Sequence, residues 1–255
     1  MIKLYKKIKF KYNLGNLLLN NSYHIDALIK SKTEINKVPL RTDIINYLLS
    51  KIKKENTIYL EIGVRYPEAN FNSINSKTKY SIDPGIEYEL NPVDFKVTSD
   101  VFFEQLNSGI ILKKDIKFDV IFIDGLHLAE QVDRDIENAL KYLNPNGFIV
   151  LHDCNPPTEF HASENYLYRM SPSTVYWNGT TWKAFFKYRK RKDLFTCCID
   201  SDWGIGIITK SINIGNPTKV ENTFFEYKVL NDNRKDSLNL VSFIEFKLNF
   251  EKCSR

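Results

Sequence analysis

The sequence predicts an α/β protein whose core is a doubly wound, mostly parallel sheet closed by an antiparallel hairpin. Three observations point there. The runs FDVIFID (118–124) and FIVLHDC (148–154) are short and apolar throughout, as strands buried on both faces must be. A helical pattern separates them, with Leu128, Val132, Ile136, Leu140 and Leu143 on one face. Asn144-Pro145-Asn146-Gly147 ends that helix, because proline cannot continue it and glycine tolerates the turn. Late in the chain DLFTCCID and WGIGIITK, divided at Asp200-Ser201-Asp202, pattern as the two arms of a hairpin.

The other elements follow in order. Residues 1–38 have no strong period and are expected to form a leader with one or two short helices, and 39–255 the main domain. After Pro39, RTDIINYLLSKIKK turns Ile44, Ile45, Leu48, Leu49 and Ile52 inward. TIYLEIG (57–63) and KYSIDPG (79–85) are the first two expected strands, DFKVTSD (94–100) is a third strand or its exit, and VFFEQLNSGI is a short helix after them. Strands alternating with helices give the doubly wound sheet. The segment 157–192 differs in texture, rich in aromatics and basic residues, and is expected to cover an acceptor. DSLNLVSFIEFKLNF fits a helix, with Leu238, Leu240, Val241, Phe243, Ile244 and Phe246 packing on the domain or on a partner chain of a homo-oligomer.

Composition narrows the function classes. With 255 residues, 43% hydrophobic and 26% charged, the chain is long enough for one well-filled α/β domain. The net charge of +5 is mild, and no motif that reads RNA or DNA is present, so nucleic acid is not an expected partner. Lys3, Lys6, Lys7, Lys9 and Lys11 alternate with apolar residues. They read either as a solvated segment or as an arm that meets an anionic partner or a membrane surface. No secretory signal and no membrane span is recognisable, and Cys154, Cys197, Cys198 and Cys253 match no zinc spacing, so a cytoplasmic protein with reduced thiols is expected.

The chemistry gathers at the strand ends. Asp124-Gly125-Leu126-His127 follows one strand and His152-Asp153-Cys154-Asn155 the next. Ligands of open α/β sheets bind beyond the carboxyl ends of the strands, so both clusters face one crevice. Glu61-Ile62-Gly63 is followed by Val64-Arg65-Tyr66-Pro67, without the G-x-G-x-x-G that admits a dinucleotide's pyrophosphate.

FIDGLH, the D-R-D-I-E-N helix, GFIVLHDCNP, YLEIGV, SIDPG, TSDVFFEQL, WNGTTWKA and IDSDWGIGII together resemble the class I S-adenosylmethionine-dependent methyltransferases. The nearest subgroup is the one found with bacterial polysaccharide and antibiotic-sugar genes. The resemblance runs over roughly residues 40–250 in order. It implies a seven-stranded Rossmann-like sheet, S-adenosylmethionine as methyl donor, and O-methyl transfer to a sugar, on a nucleotide or a glycan precursor of surface polysaccharide. The alternatives are a non-sugar acceptor (a phosphonate, a phenol or an antibiotic intermediate) or a non-catalytic protein on the same fold. It further implies that Glu61 and Gly63 border the methionine part of the donor and that Asp83 accepts hydrogen bonds from the ribose. Ser99 and Asp100 would flank the adenine, and Asp124 and Gly125 would lie beside the sulfonium and amino groups.

An alcohol needs its proton drawn off as it attacks, by a base or by a metal that acidifies it. His152 or His127, supported by Asp153 or Asp124, supplies the base. Alternatively Asp124 and Asp153 hold Mg²⁺, although magnesium prefers oxygen ligands and His152 stands in the pair. For the acceptor, Asn155, Tyr166, Tyr168, Tyr176, Trp177 and Trp182 offer polar and stacking surface. Arg169, Lys183, Lys187 and Arg189 offer charge for a phosphate. The same aromatics would equally serve to pack a lid on the core.

Overall fold

Four apolar runs pair in parallel and form the centre of the molecule: β1 (Ile58–Ile62), β2 (Thr78–Ile82), β3 (Phe118–Ile123) and β4 (Leu143–Leu151). The computed structural model describes residues 2–166, 168 and 170–253. β5 (Phe195–Ile199) and β6 (Ile205–Thr209) form the antiparallel hairpin, and β6 pairs antiparallel with β4. A two-residue β7 (Leu240–Val241) runs parallel to β5. The described residues thus form one seven-stranded sheet in the order β2-β1-β3-β4-β6-β5-β7. The expected fold class is present, a parallel core with a closing hairpin.

Period-two alternation sends side chains to two separate cores. Leu60, Ile62, Ile121 and Ile123 face one side, where α4 (Ser99–Ser108), α5 (Ala129–Tyr142) and α6 (Thr181–Arg189) pack. Tyr59, Val120 and Phe122 face the other, covered by α3 (Arg41–Lys51) and α9 (Phe243–Cys253) through Ile44, Leu48, Phe246 and Phe250. The two faces are therefore sealed by helices, as a parallel sheet requires. The chain also contains α1 (Ile2–Leu19), α2 (Ser22–Ile35), α7 (Tyr227–Asp232) and α8 (Arg234–Leu238).

Asp119 ties three strands together at the amino end of the sheet. Its buried carboxylate accepts from the Ile58 amide at 2.8 Å, from Lys54 Nζ at 3.0 Å and from Asn144 Nδ2 at 2.6 Å. Asp119→Ala should leave three donors without their acceptor and lower stability by about 3 kcal/mol. Urea unfolding, compared at equal slope, checks the value.

Several sequence expectations need correction. Residues 94–100 do not form a strand; only Phe95 bridges to Ile82, and Thr98 already caps α4 by accepting from the Val101 amide. The region 1–38 holds two helices of 18 and 14 residues, longer than expected. The segment 157–192 is not all cover, because α6 lies within it and is a core helix. The single late helix is interrupted. Asn239, with φ 48°, ends α8, and β7 precedes α9. α9 itself packs on the domain, where Phe246 and Phe250 meet Tyr47 edge-on.

Candidate active site

Register places the site. Ile82, Ile62, Ile123 and Leu151 lie side by side across β2, β1, β3 and β4. The next residue on each strand is Asp83, Gly63, Asp124 or His152, so these four form a row along the carboxyl edge. The chain passes from β1 to β2 on one side and returns to β3 on the other, which opens a crevice at β1.

Gly63 permits the close approach this row needs. Its φ is +92°, and a Cβ there would stand 2.3 Å from the Asp124 carbonyl oxygen and 2.5 Å from Gly125 Cα. Only glycine accepts both the conformation and the contact. On the same strand Glu61 is buried, taking hydrogen bonds from Tyr59 Oη at 2.6 Å and Asn70 Nδ2 at 3.0 Å. Burial pushes its pKa up to about 7, with the nearby Asp124 carboxylate adding to the rise against the lowering effect of Tyr59, Asn70 and Arg41.

Between β3 and β4 the two polar clusters meet. His152 Nδ1 lies 3.2 Å from Asp124 Oδ1 and 3.1 Å from Asp153 Oδ2. His127 Nδ1 lies 3.1 Å from Asp153 Oδ2, and its Nε2 3.3 Å from Asp124 Oδ1. Each imidazole therefore touches both carboxylates. Burial favours neutral rings, but Asp153 and Asp124 outweigh it, holding His127 at about 9 and His152 well above its ordinary value. Burial would raise Asp124, yet His152 and His127 hold it well below the usual carboxylate range. Asp153 has φ 61°, an unusual conformation for a non-glycine residue, and its Oδ1 accepts from Asn178 Nδ2 at 2.7 Å.

Two further members were not singled out from sequence. Arg41, the first residue of α3, places Nη1 2.9 Å from His152 Nε2 and 3.2 Å from Asp202 Oδ2. Asp202 also lies 3.3 Å from His152 Nε2. The carboxylates favour a fully protonated His152, whereas Arg41, an obligate donor, needs a bare Nε2. Both ring nitrogens are thus committed to protein partners. His127 also meets a carboxylate with each ring nitrogen but is more open: its side chain is 20% exposed against 8% for His152, and its ring stacks on Trp177 at 5.2 Å and 17°.

Other expected residues are spread more widely. Asp83 is half-buried at the tip of β2 and accepts from the Gly85 amide at 2.7 Å. Ser99 and Asp100 open α4; Gln131 Nε2 donates to both, at 3.1 and 3.3 Å, and Arg134 pairs with Asp100. Trp177 stacks on His127 and Tyr166 lies 5.3 Å from the Trp177 ring, whereas Tyr168 is exposed and touches neither ring. Lys183 pairs with Glu164 at 3.4 Å, and Tyr176 stacks on Trp203 at 5.4 Å.

Three expected acceptor contacts are instead structural. Trp182 is 1% exposed and packs beside Phe225, because Trp182, Phe185 and Phe186 form the inward face of α6. Asn155 is buried, donating to Asp200 and accepting from Arg234 Nη1 at 2.6 Å. Arg189 is buried and donates to the carbonyls of Thr196 and Asn216. Lys187 is paired with Asp133 at 2.7 Å, and Arg169 lies outside the described residues.

As a donor set for a cation, Asp124, His152 and Asp153 offer atoms all within 4.8 Å of one another. Two carboxylates and an imidazole fit a divalent ion that tolerates nitrogen better than they fit magnesium.

With this geometry in place, the comparisons locate the chain. Residues 79–154 match the family model described as "Methyltransferase domain". That stretch runs from within β2 to just past the end of β4 and holds Asp83, Asp124, His127, His152 and Asp153. No curated protein matches. Among similar solved structures is an O-methyltransferase from Bacillus cereus in complex with S-adenosylhomocysteine. It is 16% identical, with 82% of this chain and 100% of that one covered and a TM-score of 0.42. A Podospora anserina methyltransferase bound to S-adenosylhomocysteine is 11% identical, covering 79% and 95%, with a TM-score of 0.43. An O-methyltransferase of tomaymycin synthesis from Streptomyces achromogenes, in complex with S-adenosylmethionine, is 12% identical, covering 75% and 90%, with a TM-score of 0.41.

Proposed function

We propose that the chain moves a methyl group from S-adenosylmethionine to a hydroxyl of a small molecule, a sugar on a nucleotide or glycan precursor being the acceptor that fits best. The observation that carries this reading is the gathering of carboxylates and an accessible imidazole along the tips of adjacent strands. A donor with a sulfonium and an ammonium suits the negative field of Asp124 and the buried Glu61 on adjacent strands, and Asp83, at the tip of the next strand, would accept from a ribose diol. The donor supplies an activated methyl group, so the protein mainly aligns the reactants and keeps water out.

With its pKa held at about 9, His127 is mostly protonated at neutral pH, so the base is its deprotonated fraction. That neutral ring takes the proton of the acceptor hydroxyl as the new C–O bond forms and the methyl–sulfur bond breaks, and turnover should rise with pH towards 9. Its exposure and position beside Trp177 make it the reachable imidazole. Asp153 orients it through Nδ1, and Asn178 fixes Asp153 in turn. His152 braces the two carboxylates against Arg41 and Asp202 and serves as a positioning residue. A divalent ion held by Asp124, Asp153 and His152 would instead acidify the hydroxyl directly. Loss of turnover in EDTA, restored by Mn²⁺ or Mg²⁺, would favour that second route. The sugar reading draws on the paired rings of Trp177 and Tyr166, with Lys183, now held by Glu164, as a cation for a phosphate. Incubation with S-adenosylmethionine and a panel of nucleotide sugars tests it. S-adenosylhomocysteine should form with at least one sugar, and formation only with phenols would move the acceptor class.

Glu61 makes donor affinity pH-dependent. Its carboxyl titrates at about 7, and a cationic donor prefers it ionised. Binding should therefore weaken as pH falls from 8 to 6, by up to about tenfold per unit below the midpoint. Calorimetry across that range should show the trend in the native chain and a flatter one in Glu61→Gln.

A further inference from the structure

We propose that α1 docks on an anionic lipid bilayer, lying in its surface. The helix is 18 residues long and buries none of them. Leu4, Tyr5, Ile8 and Tyr12 lie along one face, 58–68% exposed, and Ile2, Phe10, Leu14 and Leu17 are exposed on the other faces, 55–74%. Lys9 and Lys11 border that stripe, while Lys3, Lys6 and Lys7 lie round the rest of the same half. No acidic residue occurs before Asp26. Exposed apolar and aromatic side chains interleaved with lysines suit a helix lying in an interface, where the charged heads stay with the headgroups while their stems and the aromatic rings sink. No helix among the described residues is long and apolar enough to cross a membrane, so the contact is a surface one.

Charge decides between this occupant and a second copy of the chain. Pairing two α1 helices would bring two sets of five lysines together without an acid on either helix to offset them. A bilayer containing anionic lipids supplies the opposite charge. The docking would also orient the body. α2 continues from α1 onto the crevice cover, where Tyr23 meets the Phe160 ring at 5.8 Å and Ser31 Oγ lies 2.9 Å from His161 Nε2. The inference does not depend on the methyl-transfer reading.

The test is co-sedimentation of the full chain with vesicles of phosphatidylcholine, alone or mixed with phosphatidylglycerol. Binding is expected to the mixed vesicles, at least about tenfold weaker to the neutral ones, and reduced by salt. Each lysine near such a surface is worth about fivefold, so the triple substitution Lys6→Glu, Lys7→Glu, Lys9→Glu should weaken binding by a hundredfold or more. The pair Leu4→Asp, Ile8→Asp should abolish it. Because α1 buries none of its residues, both variants should keep the native melting temperature, which shows that the body remains folded. Equal binding to neutral vesicles, or none to either kind, would overturn the proposal. So would a dimer in sedimentation velocity that Leu4→Asp, Ile8→Asp converts to monomer, since the stripe would then be a contact between copies.

Discussion

His127→Gln is expected to lower kcat by about a thousandfold while leaving S-adenosylmethionine affinity within a few-fold of native. Removal of a positioned base typically costs between a hundredfold and ten-thousandfold. Glutamine keeps a polar side chain over Trp177 but cannot take up a proton at neutral pH. The ring's contacts, Asp153 at 3.1 Å, Asp124 at 3.3 Å and the Trp177 ring at 5.2 Å, are to the site and its border, so the sheet should stand without it. Single-turnover kinetics separate the chemical step from binding. A loss smaller than tenfold would remove His127 from the base role and leave hydroxyl activation by a metal as the better account. His152→Gln is the informative partner variant. It should lower kcat as well, through displacement of Asp124 and Asp153, and also lower thermal stability, because it leaves Arg41 and Asp202 without their bridging ring.

The second large effect concerns a residue with no chemistry of its own. Gly63→Ala should destabilise the chain by about 2–5 kcal/mol, combining the cost of a left-handed conformation with overpacking. The new methyl would press on the Asp124 carbonyl oxygen at 2.3 Å, and backbone cannot swing away as a long side chain can. β1 and β3 would have to part at the tips, moving Asp124 relative to Asp83. A shift near 1 Å in such a site can cost about a hundredfold in rate. Urea unfolding gives the first number. Activity measured well below the variant's unfolding midpoint gives the second, so instability and misplacement are told apart.

Much of this site was legible because parallel strands obey simple rules. Apolar runs marked β1, β3 and β4, and adjacent parallel strands must bring their carboxyl ends together. Asp124, His127, His152 and Asp153 could therefore be grouped although 25 to 29 positions separate the clusters. Arg41 was not legible, since it reaches His152 across 111 residues from the start of a helix whose pattern shows only its apolar face. Asp202 sits in the hairpin turn, where φ values of 44° and 64° at Asp202 and Trp203 bend the chain back over β4. Trp182 was readable in principle. Its spacing to Phe185 and Phe186 is that of a helix face, which outweighs the general affinity of aromatics for ligands. The third strand failed because its pattern is short, and the Thr98 cap begins a helix within it.

The membrane proposal and the catalytic one stand on different residues and can fail independently. α1 shares no side chain with the strand-tip row, and α2 connects it to the crevice cover through His161.

Calorimetric titration of S-adenosylhomocysteine into the native chain and into Asp83→Ala tests the account most directly. A single site should appear in the native chain, and the variant should bind at least about tenfold more weakly, having lost a hydrogen-bonded ribose contact. No heat from the native chain, or equal affinity in the two proteins at unchanged fold, would contradict a donor seated along the tips of β2, β1 and β3.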